Sequence, residues 1–341
     1  MQNNTSKINP PMITFLVVIG NILDYYDFLL FAHLGPIITP LFFPGVEVVE
    51  AHILSLFLFG FSFVIRPIGG YIFGRISDRD GRKIALIKSI KWTVFPTLAL
   101  AFLPSYETYG IAATIAFLLL RLFQGFSLGG EYPSAGTYLF EYHKKNRGLV
   151  SGVLSGSGTV GSLLGLGMAY LCLQEGAPDW LWRVAFLLGG LGGMISYSMR
   201  KHLMEITDVP QDCRSLLPVV PAWKCGLLIA IGLFVGTSVW LPSTYSNFYV
   251  TKMMGYSAHQ GVLATLTALV GYIVLTPFFG ALSDRIGHYR TMLWASLLAI
   301  PASIIFFFLL YQEYIIIAQL GLISVAACFG APIHVVMNSL F

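Results

Sequence analysis

A chain of 341 residues with 56% hydrophobic and 11% charged side chains does not carry enough charge to coat a soluble surface, where roughly 25% is usual. The net charge of +4 could suggest a nucleic-acid partner. Its basic residues fall instead between apolar runs, where they set membrane orientation, so no nucleic acid is expected. The apolar runs are long enough to span a bilayer, which takes about 20 residues each.

Ten membrane helices are expected, at about 12–38, 50–75, 84–103, 108–139, 148–174, 182–201, 220–250, 258–283, 290–311 and 313–339. The first carries Asp24 and Asp27, and a signal peptide needs a charge-free apolar core. Connections are short except at 202–219, which contains Pro210, Asp212, Arg214 and Pro218. That segment is the natural join between two bundles, giving an N-terminal six-helix bundle at 1–201, a cytoplasmic loop at 202–219 and a four-helix bundle at 220–341. Lys7, Arg75, Arg79, Arg82, Lys83, Lys88, Lys91, Lys144, Lys145, Arg147, Arg200, Lys201, Arg214, Lys224, Arg285 and Arg290 fall on one side of this topology. Only Arg183 and Lys252 fall on the other, with Glu47, Glu50, Glu107, Glu175, Asp179 and Glu313. The positive-inside rule then puts the N-terminus and the 202–219 loop in the cytoplasm, and the even number of helices returns the C-terminus there.

One motif occurs twice. Gly74-x-x-Ser77-Asp78-Arg79-x-Gly81 returns as Gly280-x-x-Ser283-Asp284-Arg285-x-Gly287, 206 residues later. Each copy ends one apolar helix and starts another, so the chain is built from two similar helical bundles. The stretch Asp78–Lys83 suits a tight cytoplasmic hinge. Gly81 permits the reversal, Arg79, Arg82 and Lys83 hold it at the anionic membrane face, and Asp78 can accept hydrogen bonds from a helix N-terminus. Glycines at 148, 152 and 156, and at 161 and 165, present side-chain-free faces on which neighbouring helices can approach closely.

The first copy, with Arg82 and Lys83 after it, resembles the signature loop of the major facilitator superfamily. Gly20-Asn21 with Asp24-Tyr25-Tyr26-Asp27-Phe28, Arg66-Pro67-x-Gly69-Gly70, Arg121-x-x-Gln124-Gly125-Phe126-Ser127-x-Gly129-Gly130-Glu131 and Trp182-Arg183-x-x-Phe186 narrow the likeness. Together they resemble the metabolite:proton symporters, which include proline/betaine and α-ketoglutarate permeases. Gly261-Val262-Leu263 and Met337–Phe341 are nearer the proline/betaine branch. The second copy departs from the pattern, with His288 and Tyr289 in place of Arg82 and Lys83. Asp24 stands where glutamate is usual.

The resemblance implies an all-α polytopic membrane protein with alternating access between two bundles and a conformational latch. The latch residues would be Gly74, Asp78, Arg79, Gly81 and Arg82, with Asp284, Arg285 and Gly287 in the second copy. The family fold has twelve helices and this chain matches about ten, as six plus four. The Asp78 latch would dock on the missing eleventh helix, and the Asp284 latch at the start of the fifth, around Arg147-Gly148. A non-transporting relic, or half of a split carrier whose helices 11 and 12 are separately encoded, is the alternative expectation.

Charge inside the membrane costs at least about 2.5–3.5 kcal/mol per group, so function is expected where such charges cluster. Asp24 and Asp27 lie one helical turn apart, and two carboxylates that close cannot easily both ionise in a low-dielectric site. Arg121 at similar depth is the expected counter-charge, Arg66 lies nearer the cytoplasmic side, and Tyr25 adds a polar aromatic. These residues and Glu131 are the candidates for proton coupling or substrate binding. A fixed ion-pair network among Asp27, Arg66 and Arg121 is the structural alternative, and Glu131 would pack with the loop charges or the start of the fifth helix. Tyr25, Tyr26, Phe28, Tyr245 and Tyr249 could wall a cavity and hold a quaternary ammonium by cation–π attraction. His33 and His334 each stand alone in an apolar run.

No phosphate-cradling Gly-x-x-x-x-Gly-Lys loop, His-Glu-x-x-His run or Gly-x-Ser-x-Gly elbow occurs. Cys172, Cys213, Cys225 and Cys328 have neither disulfide nor metal spacing. The expected partners are therefore a small organic solute, protons and the bilayer, with no cofactor, no metal and no enzymatic activity. A dicarboxylate would need two cationic groups. If Asp27 occupies one of Arg66 and Arg121, a zwitterion such as proline or betaine fits better.

Overall fold

The computed structural model describes residues 9–205 and 258–291, with scattered positions up to 301. The expected spans at 220–250 and 313–339, most of those at 202–219 and 290–311, and Cys213, Cys225, Cys328, Tyr245, Tyr249 and His334 lie outside the described residues. All regular structure among the described residues is helical: α1 Pro10–Phe42, α2 Val48–Val64, α3 Arg66–Asp80, α4 Arg82–Phe102, α5 Tyr106–Tyr109, α6 Ile111–Tyr142, α7 Arg147–Cys172, α8 Leu181–Arg200 and α9 Ala258–Ile286. Six runs among the described residues are long and apolar enough to cross a membrane: Pro10–Gly35, Ile53–Asp80, Arg82–Phe102, Ile111–Tyr142, Arg147–Cys172 and Leu269–Ile286.

Local chemistry fixes the helix ends. Pro10 opens α1 at a position where a missing N–H costs nothing. Glu47 and Glu50 form a reciprocal capping box on α2, the Glu47 amide donating to Glu50 Oε2 at 3.1 Å. The single helix expected over 50–75 is two, divided at Ile65. Pro67 in the first turn of α3 has no N–H to continue the ladder of α2, so the helix restarts there. The hinge expected over Asp78–Lys83 narrows to one residue. Helix α3 runs through Asp80, Gly81 takes φ 113°, and α4 begins at Arg82. Gly287, its counterpart in the second copy, closes α9 with φ 95°. Both are left-handed conformations that an L side chain would strain.

The chain forms two compact units, residues 1–139 with 160–207, and residues 140–159 with 208–341. Helix α7 contributes its first half to the second unit and its second half to the first. In the first unit, α8 packs on α4 and α1, and α1 packs on α2. Tyr26, Leu30, Phe31, Leu34, Phe42, Phe117, Trp182 and Phe186 form the apolar part of its interior. Ile53, Phe57, Val64, Phe95, Ile111 and Ile195 face outward, as lipid allows. Carboxylates, guanidiniums and hydroxyls meanwhile lie inside. Small residues make these approaches possible. A side chain at Gly161 would strike the Ile22 carbonyl of α1, and one at Gly129 the Arg66 carbonyl. In the second unit, Gly148 of α7 faces the Gly280 carbonyl of α9, and Gly280 faces the Gly148 carbonyl, so the two backbones touch at their glycines.

Candidate functional site

In the first unit, one face of α4 presents Ser89, Thr93 and Thr97, each four residues from the next and all buried. This spacing stacks three hydroxyls in a row along the helix. Helix α1 faces the row with Asp24 and Asp27, and α6 with Gln124, Ser127 and Glu131.

Asp27 sits at one end, 3% exposed. Its Oδ2 accepts from the Thr97 hydroxyl at 2.8 Å and from the Gln124 amide. Gln124 also donates to Thr97 Oγ1 at 3.0 Å, and its own carbonyl accepts from Arg121 Nη1 at 2.7 Å. Arg121, expected as the counter-charge of Asp27, connects to it across Gln124 and lies within its electrostatic reach. Its guanidinium lies 3.5 Å from the Phe31 ring centroid and 5.3 Å from that of Phe186. The aromatic faces partly offset the cost of burying this cation.

Arg66, at the start of α3, lies 3.9 Å from the Phe63 centroid and 4.3 Å from that of Phe28, with Tyr25 as its electrostatic neighbour. No described contact joins it to Asp27. The fixed network of Asp27, Arg66 and Arg121 is therefore two separate arrangements in this structure. Tyr25 sets its ring edge-on to Tyr132, with centroids 6.2 Å apart. Among the described residues, Nε and Nη2 of both Arg66 and Arg121 are buried without a hydrogen-bond partner.

At the other end of the row Glu131 is fully buried and forms an ion pair with Arg200, also fully buried. The Ser89 hydroxyl donates to Glu131 Oε2. Arg200 further donates through Nη1 to the Leu86 carbonyl at 3.3 Å and through Nη2 to the Val17 carbonyl at 3.2 Å. A side chain at Gly20 would collide with its guanidinium. One arginine therefore joins α1, α4, α6 and α8. Sequence reasoning placed Arg200 among the cytoplasmic charges and Glu131 against the loop charges or the fifth helix, and the structure puts them on each other. A signal was available. Gly189, Gly193, Ser196 and Arg200 follow helical spacing on the buried face of α8, a face too small-sided for lipid. Asp24, 3% exposed, lies in the field of Glu131, Arg200 and Asp27, with Thr93 as its hydroxyl partner.

The motif residues separate into two environments. Asp78 accepts from Arg82 Nη1 at 2.6 Å, and the same nitrogen donates to Ser77 Oγ at 2.9 Å. Arg79 is exposed beside Asp80 at 3.3 Å. A residue that the sequence did not single out, Glu205, accepts from the Lys83 amide at 3.4 Å. In the second unit, Asp284 accepts from the Gly148 and Leu149 amides at 2.7 and 2.8 Å. Its two oxygens meet the free N–H groups at the start of α7, where the helix dipole favours an anion. Arg285 is exposed, and Gly74 leaves open space around its α-carbon. No group of three or more metal-type side chains occurs among the described residues.

The family model described as Major Facilitator Superfamily matches residues 14–341. The chain belongs to that superfamily. It is 31% identical over 350 residues to the glycine betaine/proline/ectoine/pipecolic acid transporter OusA of Dickeya dadantii, covering 94% of this chain and 69% of that protein. It is 30% identical over 354 residues to the proline/betaine transporter of Escherichia coli strain K12, covering 95% and 70%, and the chain is shorter than either. It is also 32% identical over 295 residues to the alpha-ketoglutarate permease of the same organism, covering 82% and 68%. Among solved structures, a double-Trp mutant of XylE superposes with a TM-score of 0.71 at 18% identity, covering 97% of this chain and 83% of that one. The human organic anion transporter MFSD10 superposes with a TM-score of 0.66, also at 18% identity, covering 97% and 86%. The protein is thus an integral membrane transporter of the major facilitator fold.

Proposed function

We propose that this transporter carries a small organic solute together with protons, and that the solute is an osmolyte of the proline/betaine type. The observation that supports it most directly is the buried Asp27 on α1, held by Thr97 and Gln124 within reach of Arg121. A carboxylate that can change protonation inside a membrane span is what coupling to a proton gradient requires. The names of the relatives at about 30% identity support the osmolyte class. Alternating access would be governed by the two motif aspartates. Asp284 would act as the latch on α7, and Asp78 would exchange Arg82 for another partner. The setting is a bacterial-type inner membrane with cytoplasmic termini, and protons and one solute are the partners.

A second reading, a dicarboxylate carrier, is favoured by two observations. Arg66 and Arg121 both carry buried nitrogens without hydrogen-bond partners among the described residues, and one of the relatives is an alpha-ketoglutarate permease. Uptake of labelled proline, betaine and α-ketoglutarate into vesicles, with and without an imposed proton gradient, separates the two. Asp27→Asn is expected to abolish gradient-driven accumulation at near-normal protein level. Accumulation that survives the substitution, or that ignores the gradient in the unmodified protein, would overturn proton coupling at Asp27.

A further inference from the structure

The Arg200 cluster contains more acid than base. Asp24 and Glu131 are two buried carboxylates in one electrostatic neighbourhood with a single guanidinium. The other nearby charges are engaged elsewhere. Asp27, also on α1, is neighboured by Arg121 through Gln124, and Arg66 lies on aromatic rings beside Tyr25. Among the described residues, helix α4 brings no charge to the cluster, only the hydroxyls of Ser89 and Thr93 and the Leu86 carbonyl. With both carboxylates ionised, the cluster would bury a net negative charge, and an unpaired buried ion is strongly disfavoured. A single proton on either carboxyl group makes it neutral.

Three orphan atoms show how the proton moves between them. Asp24 Oδ2 and Glu131 Oε1 are buried acceptors, the latter held only by its ion pair with Arg200, and Arg200 Nε is a buried donor, each without a hydrogen-bond partner among the described residues. Buried polar groups are normally satisfied, so an unmet acceptor and an unmet donor in one cluster indicate a second pairing of the same atoms.

Resting on the proton-coupled reading above, we propose that Asp24 and Glu131 share one proton and that Arg200 is the positioning residue that pairs with whichever carboxylate is ionised. The arrangement seen here pairs Glu131 with Arg200, which leaves the shared proton to Asp24. In the exchanged arrangement the proton passes to Glu131, which then donates to Ser89, and the Asp24 carboxylate takes Arg200. No atom is gained or lost, and the cluster stays neutral. The exchange shifts the one side chain that joins α1, α4, α6 and α8, so the proton's location is tied to the packing of these helices.

Infrared difference spectroscopy of the full chain in lipid vesicles at neutral pH reads protonated carboxyl groups directly and needs no substrate. The expected result is one carboxyl band lost in Asp24→Asn and lost equally in Glu131→Gln, because removing either acid leaves the other ionised under Arg200. Arg200→Lys should keep the band, and Asp27→Asn should leave it unchanged. A band that survives Glu131→Gln would assign the proton to Asp24 alone and overturn the sharing. A band that vanishes only in Asp27→Asn would overturn the proposal outright. Circular dichroism and gel filtration of each variant separate misfolding from proton loss, and Arg200→Lys preserves the cation if larger changes do not fold. Because the measurement is independent of uptake, failed transport would sink the functional reading and leave this one standing, and the reverse also holds.

Discussion

Replacing Asp284 with Ala removes both acceptors at the start of α7. In the structure its two oxygens meet the Gly148 and Leu149 amides at 2.7 and 2.8 Å, within the range of charge-assisted bonds. Such bonds contribute roughly 1.5–3 kcal/mol each, and a lost N-cap typically costs about 1 kcal/mol. The site is part-buried, so water recovers some of the loss, and a net change of about 2 kcal/mol is a reasonable centre between these limits. At 1.4 kcal/mol per decade, that is a ~30-fold increase in opening of the two amides. Hydrogen–deuterium exchange read by mass spectrometry on a peptide covering 147–150 measures this opening where it occurs. Asp284→Asn keeps one acceptor but loses the charge, and should fall between the native chain and Asp284→Ala. The change must also be local, with exchange in a peptide covering 98–102 of α4 unaltered. Unchanged exchange at Gly148 and Leu149 in Asp284→Ala would refute the reasoning, because the contact would then contribute nothing to holding the helix end.

Two further substitutions test the packing. Gly152→Ala would drive its new methyl group into the Thr276 carbonyl, whereas at Gly156 the nearest atom is the Thr276 hydroxyl at 2.8 Å. Overpacking against backbone costs roughly 1–3 kcal/mol, so Gly152→Ala should lower the thermal unfolding midpoint in detergent and Gly156→Ala should lower it less. Gly81→Ala must hold a side chain at φ 113° and against the Glu205 carboxylate, and a loss of about 1–2 kcal/mol is expected in the same assay. A midpoint equal to that of the unmodified chain would show that the one-residue turn relaxes.

The fold was legible because its two largest constraints are local. An apolar run of about 20 residues must be a helix in lipid, since no other local structure satisfies its backbone. A glycine after Ser-Asp-Arg can reverse the chain in one residue, and both Gly81 and Gly287 do so with positive φ. The break at Ile65 was also readable in principle, since Pro67 announces it, but the surrounding apolar residues continue on both sides and hide the division. The docking of Asp284 on α7 combines a local feature with a distant one. The free amides at Gly148 follow from any helix start, and the glycines that let α9 approach are visible in sequence, whereas the pairing of these two helices came from the family resemblance.

The polar seam of the first unit was only half legible, and the reason is physical. Asp24, Asp27, Arg121 and Glu131 stood out because a charge within an apolar run has no ordinary explanation. Arg200 did not, because it adjoins Lys201 at a helix end, where positive charge is the common case. The difference between the two lies in rotation around α8. Arg200 continues the buried row of Gly189, Gly193 and Ser196, whereas Lys201 is one position further round, exposed, with its ammonium 4.4 Å from the Tyr197 ring centroid. The hydroxyl row of Ser89, Thr93 and Thr97 is the same kind of signal on α4. Helix periodicity applied to small and hydroxylated residues, as well as to apolar ones, turns four isolated charges into a connected seam with Asp27 at one end and the Glu131–Arg200 pair at the other. In a membrane bundle that periodicity marks the protein interior, because lipid can accept the apolar face and only the other helices can accept the polar one.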